Sequence, residues 1–206
     1  MLGDSHVTSV IYPDKVEELL KEAYPDVEFA YYGKVGAGYY TYNNKPELLD
    51  TVYSFEPDIL IITLGGNDCY TPKFQKEKFL SDVDIFYHNF KNDFPDCQIV
   101  FFTPFYNMFK AGKKSKREIN YMNGDCAEAL IEFSNAHSGT YVIDNNAEHG
   151  MDYIEQPGLL RKDGVHLTKE GYEKLGIELG EGLLELGIID NNSPTTHKKP
   201  ISSNEY

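Results

Sequence analysis

The chain has 206 residues, 41% of them hydrophobic and 25% charged, with a net charge of −14. That length suits one sizeable core and is short for two, and so acidic a body repels phosphates, which argues against nucleic-acid binding. No run approaches the ~18 apolar residues of a membrane helix, and no basic-then-apolar leader opens the chain, so a soluble, cytoplasmic protein without a membrane span is expected.

In chain order, apolar runs alternate with helical patterns. Only Met1 and Leu2 precede the first glycine, so any strand there is very short, or the chain is cut from a longer one. Pro13-Asp14 starts a helical pattern over Lys15 to Tyr24. Val27 to Tyr32 reads as a strand, and Pro46 to Ser54 as a helix. Asp58 to Leu64 is a continuous β-branched run of the kind buried on both faces of a parallel sheet. Phe74 to Phe94 is a long helix, and Gln98 to Thr103 a strand stopped by Pro104. Ser115 to His137 is helical, Thr140 to Asp144 is a strand, and Thr168 to Leu186 is a last helix with Thr168 as its candidate cap. This alternation predicts a parallel sheet with helices on both faces, in one α/β domain over residues 1–190. The polar, aperiodic segment 191–206 reads as a disordered tail. The three cysteines, Cys69, Cys97 and Cys126, are odd in number and fit no zinc spacing, so reduced thiols are expected.

Four short blocks stand out. Gly3-Asp4-Ser5-His6 opens the chain, Gly33 to Gly38 follows the first clear strand, Gly65-Gly66-Asn67-Asp68 follows the second, and Asp163 to His166 precedes the last helix. Reactive groups gather at the carboxyl ends of parallel strands. A serine hydroxyl needs a base to take its proton, and His166 can serve Ser5 if the ring reaches it. Asp163, three residues earlier, can accept the Nδ1 proton and orient the ring. The oxyanion formed on attack needs preorganised donors, which glycine-rich backbone and the Asn67 side chain can supply.

Together these blocks resemble those of the SGNH/GDSL hydrolases: Gly-Asp-Ser at the start, a glycine in the second block, Gly65-Gly66-Asn67-Asp68 in the third, and Asp163-x-x-His166 in the last. The resemblance implies a three-layer α/β/α sandwich around a flavodoxin-like, five-stranded parallel sheet. It implies Ser5 as nucleophile, His166 as base, and an oxyanion hole made of the Ser5 N–H, the Asn67 side chain and a block-two glycine. Gly36 is most like the family's glycine, with Gly38 as the substitute. The departure is the nearly absent strand before Ser5. The expected reaction is hydrolysis of a carboxylic ester through an acyl-enzyme, with no cofactor and no metal. The expected substrate is a small acyl group, acetyl, on a carbohydrate.

Other candidates carry plainer readings beside the functional ones. Tyr39, Tyr40 and Tyr42 form either a sugar-stacking wall or a cover for the core edge. His149 either touches substrate or is a loop residue. His6 reads as a structural or rim residue, and His88 and His137 as surface or packing residues on helices. The basic run Lys110 to Arg117 reads as a solvated loop, with anionic-substrate recognition as the alternative. Asp4, Asp68, Asp163, His6 and His166 match no metal-ligand spacing. The competing function is a non-catalytic module of the same fold that binds a glycan or a partner chain.

Overall fold

The computed structural model describes residues 1–69, 74–105, 116–145 and 156–189, with backbone alone for residues 116–123 and 157. Leu2–Gly3 (β1), Tyr32–Gly33 (β2), Ile59–Thr63 (β3), Gln98–Phe102 (β4) and Thr140–Ile143 (β5) form one parallel sheet in the order β2-β1-β3-β4-β5. Seven α-helices surround it among the described residues: Ile11–Ala23 (α1), Tyr39–Asn44 (α2), Asp50–Phe55 (α3), Gly66–Cys69 (α4), Lys76–Asp93 (α5), Lys116–Ala136 (α6) and Lys169–Leu186 (α7). This is the three-layer sandwich that the alternating pattern leads to.

Side-chain alternation along the strands divides the core in two. Leu60, Ile62, Ile99 and Phe101 face one layer, with Tyr39 and Tyr42 of α2, Phe79, Val83, Phe86 and Phe90 of α5, and Leu130 and Phe133 of α6. Ile61, Val100 and Phe102 face the other, with Tyr12, Val16 and Leu20 of α1 and Tyr172, Leu175, Leu179 and Leu183 of α7. Helices α1 and α7 lie close because α7 presents glycine: a Cβ on Gly176 would stand 2.7 Å from Lys15 Cβ and 2.9 Å from the Tyr12 carbonyl. Thr168 caps α7 as expected, its hydroxyl accepting from Gly171 N–H, and Gly187 closes the helix in the left-handed region.

Three expectations are corrected. The strand read over Val27 to Tyr32 pairs only at Tyr32–Gly33, because its neighbour β1 offers just two residues, Leu2 and Gly3. The single helix read over Pro46 to Ser54 is a 3₁₀ turn, Pro46–Leu49, followed by α3. Cys69 and Cys126 are joined as a disulfide between α4 and α6, with Cα atoms 6.5 Å apart, rather than reduced; Cys97 is a buried free thiol. The basic run 110–115, His149 and the tail 191–206 lie outside the described residues, as do the side chains of Lys116 and Arg117. Among the described residues, no helix is long and apolar enough to cross a membrane.

Candidate active site

Ser5 stands just past β1, between β2 and β3 in the sheet, where the short strand ends and the chain turns into Val7–Ser9. Tyr42 supports this turn from beneath by donating its hydroxyl to the Gly3 carbonyl at 2.7 Å. The Asp4 carboxylate, buried, accepts from His6 N–H and from Asn67 Nδ2, both at 2.9 Å.

His166 comes from the loop that leads into α7. Asp163 folds that loop by accepting the backbone N–H groups of Val165 and His166, each at 2.9 Å. Its other oxygen lies 2.9 Å from His166 Nδ1. An ionised carboxylate only accepts, so Nδ1 carries the ring proton and Nε2 is left as acceptor. That nitrogen lies 3.1 Å from Ser5 Oγ, which places Ser5 as donor. Partial burial pushes the Asp163 carboxyl up, but hydrogen bonds from Val165 N–H and His166 outweigh it and hold the group down at about 2.

A cavity of about 260 Å³ opens over Ser5 and His166. Its wall includes the loops after four strands: Asp4 to His6 after β1, Val35 and Gly36 after β2, Gly66 and Asn67 after β3, and Thr103 to Phe105 after β4. Gly36, at φ +72°, borders this cavity. Gly38 does not border it and instead directs its N–H to Thr41 Oγ1 as α2 begins. Gly38 makes room for a neighbour, since a Cβ there would collide with the Asp68 carboxylate, which accepts Tyr39 N–H at 3.0 Å. Asn67 reaches the cavity, yet its amide donates to Asp4 Oδ2 and to the Ala37 carbonyl, each at 2.9 Å. An oxyanion has to share one of these donors.

The structure thus brings together Ser5, Gly36, Asn67, Asp163 and His166 and leaves the tyrosines outside. Tyr39 is 0% exposed and packs edge-on against Phe79 and Phe86, so it belongs to the core and forms no sugar-stacking wall. Tyr40, 58% exposed, faces solvent away from the cavity, with Lys78 Nζ 4.9 Å from its ring centre. His6, expected as a structural or rim residue, lines the cavity. Sequence reasoning missed Thr103 to Phe105 and the flanking Val35 and Val165; the one signal for the former was Pro104 at the end of a strand. Asp4, Asp68, Asp163, His6 and His166 do not gather as a metal site, and no group of three or more metal-ligating side chains occurs among the described residues.

Comparison with known proteins bears on the fold and the family. Solved structures of similar fold include the acetyl xylan esterase AlAXEase (17% identity, TM-score 0.65, covering 91% of this chain and 97% of that one). A family 3 carbohydrate esterase of Clostridium thermocellum matches at 16% identity and TM-score 0.64, over 90% of this chain and 94% of that one. A carbohydrate esterase family 3 protein of Talaromyces cellulolyticus matches at 18% identity and TM-score 0.64, over 90% and 96%. At such identities the likeness is one of fold. No curated protein matches in sequence. The model of the GDSL-like lipase/acylhydrolase family matches residues 1–174, the span that carries Ser5, Asn67, Asp163 and His166. The chain belongs to the GDSL-like lipase/acylhydrolase family, the SGNH ester hydrolases.

Proposed function

We propose that the protein is a serine esterase that removes a small acyl group, acetyl, from a carbohydrate through an acyl-enzyme. The observation that carries the reading is the hydrogen-bonded line from Asp163 to His166 to Ser5, at 2.9 and 3.1 Å. Ser5 Oγ adds to the ester carbonyl carbon as its proton passes to His166 Nε2. Asp163 holds the ring's tautomer and stabilises the imidazolium. The carbonyl oxygen, now an oxyanion, takes N–H donors from Ser5, Gly36 and Asn67. Collapse breaks the bond to the alcohol oxygen, which leaves with the proton from Nε2. Water, deprotonated by the same nitrogen, then releases the carboxylic acid and restores Ser5.

The acyl assignment rests on the size of the cavity, which at about 260 Å³ lies below the usual range for larger ligands. The carbohydrate assignment draws on two similar folds whose names are those of carbohydrate esterases and one that is an acetyl xylan esterase. An acidic protein suits a neutral substrate better than a polyanion. The test is p-nitrophenol release from the acetate and octanoate esters by wild type, Ser5→Ala and His166→Ala, followed by acetylated xylose. Wild type is expected to turn over acetate faster than octanoate and to deacetylate the sugar, with both variants at background. Equal rates in all three folded proteins would remove Ser5 and His166 from the chemistry. A wild type that prefers octanoate would remove the acetyl assignment.

A further inference from the structure

The block that names the family ends in leucine, whereas Gly3-Asp4-Ser5-His6 ends in histidine. His6 is not an inert replacement. Its ring lines the cavity beside Ser5 and lies 5.5 Å, centre to centre, from the ring of His166. Phe105 meets it edge-on at 5.1 Å. On the protein side its Nδ1 lies 3.3 Å from the Tyr172 hydroxyl.

This arrangement accommodates the tautomer that leaves a donor on the cavity side. A hydroxyl has a single proton to give. The Tyr172 hydroxyl is placed to give that proton to His6 Nδ1. The His6 proton then sits on Nε2. Burial disfavours the charged ring, and the nearby His166 adds to that while Asp4 and Asp163 oppose it; the net effect lowers the pKa of His6. In that tautomer a neutral imidazole with an Nε2–H donor stands next to the base that protonates the leaving alcohol.

We propose that His6 is a specificity-determining residue whose Nε2–H donates to a hydroxyl on the alcohol side of the ester, selecting monoesters of vicinal diols. The inference rests on the esterase reading above and adds to it the chemistry of the leaving group. A leucine at this position offers no donor, so a hydroxyl placed there loses its water without replacement. The diol fragment is what a partly acylated sugar presents.

The experiment compares two esters of nearly equal shape, 2-hydroxyethyl acetate and propyl acetate, in wild type, His6→Leu and His6→Gln. The readout is the ratio of their kcat/KM values, in which any general loss of activity cancels. One neutral hydrogen bond corresponds to about three- to tenfold. His6→Leu is therefore expected to lower the wild-type ratio by about that factor, and His6→Gln, which keeps an N–H donor, to retain most of it. Thermal melts establish that both variants fold. A ratio unchanged in His6→Leu overturns the proposal, as does a ratio lost equally in His6→Gln. If wild type hydrolyses p-nitrophenyl acetate but neither aliphatic ester, the His6 assignment falls and the esterase reading stands. If wild type hydrolyses none of the three, both fall.

Discussion

One oxygen of the Asp68 carboxylate holds Tyr39 N–H, the other is buried with no hydrogen-bond partner among the described residues, and the group fills the space where Gly38 has no Cβ. Burial pushes its carboxyl from 3.8 up to about 6, against the pull of backbone N–H groups. A carboxyl raised on folding binds its proton more tightly in the native state, so its stabilising contribution is complete below about pH 4 and is lost as pH rises through about 6. Asp68→Asn keeps a carbonyl acceptor and has no charge to bury. It is expected to remove a fall in stability of at most about 3 kcal/mol between pH 4 and 8. Denaturant titrations at both pH values check this, and parallel losses in wild type and variant would refute it. Asp68 stood out in the sequence as the end of Gly65-Gly66-Asn67-Asp68, but its partner was not legible. Tyr39 stands 29 residues away and becomes a core residue only once α5 lies over it. Nothing local separates it from Tyr40, which ends in solvent.

At the scale of elements, the strongly periodic segments were legible and the short ones were not. Strands β3, β4 and β5 fall within a residue of their expected bounds, because β-branched and aromatic runs announce themselves, buried on both faces in β3 and β4 and half-buried in the edge strand β5. Strand β2 could not be placed from its own residues, since its length is set by β1. Helix α2 was missed because Tyr39–Asn44 combines tyrosines and asparagines, weak helix formers that packing overrides. The approach of α1 to α7 was likewise invisible, as Gly176 reads locally as a poor helix residue. In the fold it is where the backbones meet. Gly176→Ala should gain helix propensity yet lose overall stability by about 1–3 kcal/mol, because the added methyl presses on Lys15 and the Tyr12 carbonyl. A rise in the denaturation midpoint would mean that the two helices separate at little cost.

Across the whole molecule, the disulfide is the feature that composition misdirected. An odd count of cysteines argued for thiols, but parity says nothing about which sulfurs a fold brings together. Cys69 ends α4, two residues after Asn67, and Cys126 lies in α6, so the bond ties the loop after β3 to the helix behind it. Unfolded, unreduced protein is expected to show one reactive thiol, Cys97, and after reduction three. Three before reduction would return the pair to the free state. Ser5 and His166 lie 161 positions apart in the chain. Between them the chain must lay down β2 to β5, and β1 itself has no place until β2 and β3 flank it. The serine therefore meets its base only when the sheet has closed, so its reactivity reports on molecules and not on residues. If Ser5 is the nucleophile, a phosphonate that labels it counts native copies in a mixture, and the rate at which labelling returns after dilution from denaturant is a clock for the last step of folding.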